Sequence, residues 1–502
     1  VTALGVAAST AHGLIGSAIA RAQTPPVAGG ILRMQMPTLP LCDPRLADWP
    51  EIGNMLRGWL EPLVDYEPDG TFTGRLLERW DVAEDARSIR LTLRPGIRWW
   101  NGDALTADHV AFNLRRWLEP LPGNAMFGLM EALSDGQITI EDDLTLHLQL
   151  GHPDATLIAS FSEYAALIVH PSYDGADPSV NALGSGPYRP IVNNVGKLQV
   201  LERTEWWGTP VFGGPYLDRI EYIDLGTDPA LAVTAARQGL IDAVDHTIRD
   251  FAPPLEDLGW VASHASSAAT LVVRFNQRDP QFYDVRVRRA IQMTVDNSVV
   301  LDIGLNGDGE VAENHHVSPL QPDYASISAP APDPDAAFGL LAEAGMAAHV
   351  FTLVSLDDAW QALSCDVVAA QMHDAGIKVE RQIRPGTEYW PHWRDYAFSA
   401  TSWNMRPLGV QVLRLAYKSG APWNESGFAN AAFDAALTRA LALVDATERQ
   451  KVMIELETIL RDEAVIIQPY WRTLTRHAIP AARGMDVTPT PVHRHHLWWI
   501  AP

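Results

Sequence analysis

Two cysteines, Cys42 and Cys365, are all that the chain carries in 502 residues. They stand far apart and near no metal-ligand spacing, which excludes a cysteine-based zinc site and leaves a disulfide between them open. Basic residues are scarce as well: 38 Lys and Arg stand against 61 Asp and Glu, a formal net charge of −23. Sequence-independent nucleic-acid binding needs a clustered basic excess to neutralise phosphates, so that class is excluded. The acidity does not fix the sign of a small ligand, because a pocket of opposite local charge can sit inside an acidic protein. Beyond the first twenty residues no segment reaches the roughly 18 unbroken apolar residues of a membrane span. Catalytic signatures are missing too: there is no G-x-S-x-G elbow, no H-E-x-x-H, no P-loop and no G-x-G-x-x-G between strand and helix. The paired carboxylates Glu141, Asp142 and Asp143 fall in a predicted turn, where solvation explains them better than a glycosidase pair. A hydrolase built on a cleft histidine and carboxylate therefore lacks an apparent nucleophile and base.

Hydrophobic residues make up 47% and charged residues 20%, a balance that supports compact folding throughout, and the length implies two or three folding units. Residues 1–20 form a weakly apolar run of Ala, Gly, Leu, Ile and Ser, followed by Ala20-Arg21-Ala22 and Gln23. This pattern reads as the later part of a signal peptide with an A-x-A cleavage site, so 1–22 is expected to be a signal-peptide remnant and the protein to be exported. Residues 31–36 read as the first strand. Residues 88–94 alternate polar and apolar as a half-buried strand does, Pro95-Gly96 and Asn101-Gly102 turn, and Thr106 caps a helix carrying Val110, Leu114 and Trp117 at helical spacing. A second hairpin is expected over 138–150. Further on, strands over 217–224, 271–275 and 377–380 alternate with helices over 229–239, 285–295, 335–345, 359–375 and 446–461, which implies an α/β second lobe. No repeat or flexible linker interrupts the chain, as expected of lobes joined by crossing strands.

The stretch Leu91-Thr92-Leu93-Arg94-Pro95-Gly96-Ile97-Arg98-Trp99-Trp100-Asn101-Gly102-Asp103 resembles the signature hairpin of the extracytoplasmic solute-binding proteins of family 5, the dipeptide, oligopeptide and nickel-binding receptors of ABC importers. Glu61-Pro62-Leu63-Val64, Gly184-Ser185-Gly186-Pro187-Tyr188, Asp284-Val285-Arg286-Val287-Arg288-Arg289 and Leu341-Ala342-Glu343-Ala344-Gly345 follow in that family's order, and the resemblance covers roughly residues 31 to 500. It implies a large two-lobed α/β periplasmic-binding-protein fold with an extra subdomain in the first lobe. The expected division is lobe I over 23–273, lobe II over 274–474 and a return to lobe I over 475–502. It also implies a periplasmic monomer that holds a small molecule without a cofactor and hands it to membrane permease subunits.

In peptide-binding relatives the segment matching Ser402-Trp403-Asn404-Met405-Arg406-Pro407 carries an Asp three residues after the Trp, and that carboxylate pairs with the peptide ammonium. Arg406 stands there instead. A guanidinium favours a carboxylate or phosphate held bidentately, unless a protein carboxylate takes it up. The cargo read from this position is therefore a small anionic solute, an opine-like amino-acid conjugate or a metal held by a polycarboxylate chelator. A di- or oligopeptide is the alternative. Trp403 and Trp423 are expected to wall the pocket, with Asn424, Glu425 and His316 supplying directional polar contacts. No metal site is expected at these residues: His315 and His316 point to opposite sides of the chain, and His493, His495 and His496 read as packing or surface residues.

Overall fold

The structure, a computed structural model, describes residues 25–205, 212–328 and 331–502. The signal-peptide expectation over 1–22 lies outside the described residues. A 12-stranded mixed sheet runs through the molecule. Its first-lobe end is built from Tyr188–Asn194, Leu198–Arg203, Arg219–Ile223 and Ile31–Gln35, and its second-lobe end from Phe398–Trp403, Val350–Leu356 and Lys378–Arg384. Two strands join these ends. Val261–Phe275 pairs antiparallel with Tyr470–Ala478 along its first part, from Val261 opposite Ala478 to Thr270 opposite Trp471. Its last residues, Thr270 to Phe275, pair with Phe398–Trp403. The strand predicted over 271–275 is thus only the end of a strand of 15 residues. The Ala- and Ser-rich start has little strand propensity of its own, and its ladder partner supplies the hydrogen bonds that hold it extended.

The strand predicted over 88–94 and the second predicted hairpin join a four-stranded sheet in the order Leu77–Val82, Ser88–Leu93, Thr145–Gln149, Ile138–Asp142, whereas the return expected after Pro95-Gly96 is no strand and makes only the bridge Arg98–Ala104. Ile89, Leu91 and Leu93 alternate inward and are buried, the period of two that the sequence shows. The helix Ala107–Trp117 starts after Thr106 and buries Val110, Leu114 and Trp117. In the Gly184-Ser185-Gly186 loop, a Cβ on Gly184 would lie 2.0 Å from the Trp59 carbonyl oxygen, so the close approach itself requires glycine.

One apolar core gathers Leu271, Phe275, Val287, Ile291, Phe351, Val368 and Phe398 in the second lobe. The larger core is less expected. It unites the first lobe with the helices Gly409–Tyr417, Ala431–Leu441 and Ala446–Asp462, although 274–474 reads as one lobe in sequence. Every residue of Gly409–Tyr417 is buried, because this helix packs on Ala125–Leu129 of the first lobe. Cys42 and Cys365 are both free, in different parts of the chain, so the open disulfide is not made.

Candidate functional site

The strand Phe398–Trp403 ends at the seam between the lobes, and the turn that follows carries Asn404, Met405 and Arg406 into it. Arg406 is buried, with 3% of its surface exposed. Its Nε lies 3.0 Å from Glu163 Oε2 of the first lobe, and its guanidinium stands 5.4 Å from the Tyr164 ring centroid and 5.6 Å from that of Trp423. Burial raises the Glu163 carboxyl against the pull of Arg406. Burial by itself would lower the guanidinium, yet Glu163 and Tyr164 hold it raised, so it stays protonated. The charge that the sequence offers to an anion therefore has an internal counter-ion.

Two cavities flank this ion pair. The first, of about 470 Å³, is lined by Asp48, Trp49 and Tyr164 from the early part of the chain and by Trp390, Trp393, Thr401, Ser402, Trp403, Asn404 and Trp423 from the later part. Trp49 and Trp390 meet edge to face at 4.0 Å, and Trp403 meets Trp423 at 6.0 Å. The second cavity, of about 450 Å³, lies beyond Arg406 against Arg57, Asp65, Glu163 and Arg494. Its cations are spent: Arg57 Nη1 donates to Asp65 at 3.0 Å and Arg494 Nη1 to Glu67 at 2.6 Å. Arg406 and Tyr164 belong to both cavities.

Three of the residues expected at a ligand stand behind the wall rather than in it. Glu425 accepts from Trp403 Nε1 and Thr401 Oγ1, both at 2.7 Å, and from Arg274 Nε at 3.2 Å. It thereby sets the face that the Trp403 ring presents. Asn424 donates to the carbonyls of Lys418 and Phe428 and holds the loop that carries Trp423. His316 is buried, shares a hydrogen bond of 2.8 Å with the Tyr417 hydroxyl and meets Trp403 edge to face at 5.3 Å. Burial and then the nearby Arg406 push its imidazole down to about 3, so it is neutral. The physical reason is common to the three: a buried polar side chain is hydrogen-bonded by the protein around it before any ligand arrives. The C-terminal histidines are likewise spent in packing, with Tyr222 Oη 2.9 Å from His493 Nδ1 and 2.6 Å from His495 Nε2.

Sequence reasoning missed Asp48, Trp49, Tyr164, Glu163, Trp390 and Trp393. The available signal was Trp390-Pro391-His392-Trp393, two large aromatics in a polar loop, and Asp48-Trp49-Pro50 just ahead of the helix Pro50–Leu56. Connecting segments run over the surface and carry a disproportionate share of binding residues.

The family model for bacterial extracellular solute-binding proteins, family 5, matches residues 71–424. A probable peptide ABC transporter periplasmic-binding protein, y4tO of Sinorhizobium fredii, is 25% identical over 389 residues, covering 72% of this chain and 71% of its own. The Escherichia coli murein tripeptide binding protein MppA superposes with a TM-score of 0.86 at 21% identity, covering 95% of this chain and all of the other. The unliganded open form of MppA superposes less closely, at 0.68 and 20% identity, covering 95% and 98%. AgaA of A. tumefaciens R10, in complex with agropinic acid, gives 0.83 at 19% identity, covering 94% and 99%.

Proposed function

Because the chain belongs to the bacterial extracellular solute-binding proteins, family 5, we propose that it is the periplasmic receptor of an ABC importer and that its cargo is a small solute enclosed in the tryptophan-walled cavity between the lobes. The observation that carries this reading is the cavity itself: its wall comes from both lobes, and Arg406 of one lobe reaches Glu163 of the other across its edge. Closing the lobes completes the wall, and opening them releases the solute. The better superposition on one structure of MppA than on its open form supports reading the present arrangement as shut. The lobe division at 273/274 and 474/475 belongs to the same proposal, as do action as a monomer and delivery of the solute chemically unchanged.

Arg406 favours a second reading, an opine-like or metal-chelate anion, since it borders both cavities. Such an anion has to share the guanidinium with Glu163. Native mass spectrometry of the protein purified without unfolding tests the receptor reading. One solute per chain, recovered intact and reducing the radius of gyration when added back, is the expected result. Turnover of that solute, or binding with no change in scattering, refutes it.

A further inference from the structure

The charges that border the cavity do not cancel. Arg406 is neutralised by Glu163 at 3.0 Å, and behind the wall Glu425 is paired with Arg274 at 3.2 Å. Asp48 remains. Its carboxylate makes no ion pair among the described residues, and the only hydrogen bond to this residue from another element, from Tyr164 Oη at 3.1 Å, goes to its backbone carbonyl. Asp48 is exposed at the cavity edge, next to the half-buried rings of Trp49, Trp390 and Trp393. Desolvation by these surroundings raises its carboxyl from the ordinary carboxylate range, with no cation to offset it. Arg394, the nearest cation in sequence to these rings, keeps its charge while donating to the Pro422 carbonyl; it stands 5.6 Å over Trp393 and does not line the cavity. His316, behind Trp403, is neutral. The lining itself therefore combines one negative charge that makes no ion pair with an aromatic wall of six rings, whose faces are electron-rich.

We infer that the cargo is an organic cation, a solute whose ammonium is N-alkylated, seated against the tryptophan faces with Asp48 as its counter-charge. An N-alkylated ammonium has few or no N–H groups to satisfy, and it loses less hydration on entering an aromatic wall than a primary ammonium does. A carboxylate in the same place would meet the negative ring faces and Asp48, and would have to displace Glu163 from Arg406. This inference rests on the receptor reading and assigns the class of its ligand.

The test uses three probes of one shape: choline, its uncharged carbon isostere 3,3-dimethylbutan-1-ol, and the anion 3,3-dimethylbutanoate, titrated calorimetrically into the whole protein freed of bound solute. Choline is expected to bind about tenfold more tightly than the uncharged isostere, a gain that the ring faces and the Asp48 carboxylate supply together. Asp48→Asn is expected to shrink that difference, and Trp393→Ala to weaken both probes. Circular dichroism melts confirm that the variants fold. Equal binding of the charged and uncharged probes, preference for the anion, binding of none of the three, or an Asp48→Asn variant that retains the full difference overturns the inference. A peptide or anion that nonetheless draws the lobes together in solution scattering overturns the cation alone and leaves the receptor reading standing.

Discussion

Removal of the Asp154 carboxylate tests whether the lobes are locked by a buried ion pair. Arg414, on the helix Gly409–Tyr417, donates from Nη1 to Asp154 Oδ2 at 2.7 Å, and the two side chains are 1% and 0% exposed. Asp154 Oδ1 is occupied by the Thr156 amide and hydroxyl, at 2.8 and 2.7 Å. The Ala155 amide donates to the Leu441 carbonyl at 2.8 Å, so the same seam is stitched by backbone. Asp154→Asn keeps the shape and removes the charge. Stranding one member of a buried pair costs about 3–5 kcal/mol, and the half-exposed Glu131, 3.7 Å from Arg414 Nη2, keeps the cost at the lower end. If the pair forms only on closing, Arg414 meets water in the open state, and the cost falls on closure alone. Affinity for the recovered solute then drops by about a hundredfold or more, while the apo protein melts as before. Calorimetric titration, solution scattering and thermal melts of the apo protein measure the three quantities. Adding Arg414→Met to Asp154→Asn is expected to restore most of the affinity, since an apolar replacement of a buried pair is tolerated. An Asp154→Asn variant that loses stability without ligand and binds normally refutes the lock and places the pair in a permanent core.

Glu163→Gln releases Arg406 from its counter-ion, so the variant is expected to gain affinity for small carboxylates that the parent binds weakly; unchanged binding of 3,3-dimethylbutanoate in calorimetry shows that the guanidinium is not available. Glu457 is buried and stands 3.5 Å from His315; burial first, then Asp323 and Glu313, push its carboxyl up to about 10. The folded pKa exceeds the unfolded one, so this contribution to stability is complete below about pH 4.5 and is lost as pH rises toward 10. Urea unfolding between about pH 5.5 and about pH 8.5 is expected to show a fall about 1.4 kcal/mol per pH unit shallower in Glu457→Gln than in the parent; parallel slopes count against it. Both thiols are pushed up to about 12, chiefly by burial, so Cys42 and Cys365 are expected to resist alkylation at about pH 8 until guanidinium unfolds the chain. Rapid labelling of the native protein contradicts that.

Elements with strong local periodicity are legible in the amino-acid sequence. The alternation at 88–94 corresponds to the strand Ser88–Leu93, and the helix read over 359–375 to Ala359–Asp374. Val261–Phe275 is legible only at its Leu271-Val272-Val273 end, because its Ala and Ser residues are held extended by a partner two hundred residues later in the chain. Trp403 and Trp423, read as pocket walls, both line the cavity beside Arg406. Glu425 and Asn424, read as ligand contacts beside them, hold the rings instead, since buried donors and acceptors in a loop are claimed first by that loop.

The family and the two-lobed α/β architecture can be read along the chain, because they rest on motifs and periods that neighbouring residues carry. What Arg406 does is settled only by folding. Its charge reads as an anion anchor only while Glu163 is out of sight, and the fold brings that carboxylate, more than two hundred residues earlier in the chain, to 3.0 Å. The same fold leaves Asp48 without an ion pair beside the tryptophans. Net charge at a site is a sum over groups that meet only in three dimensions, and no local pattern along a chain contains that sum.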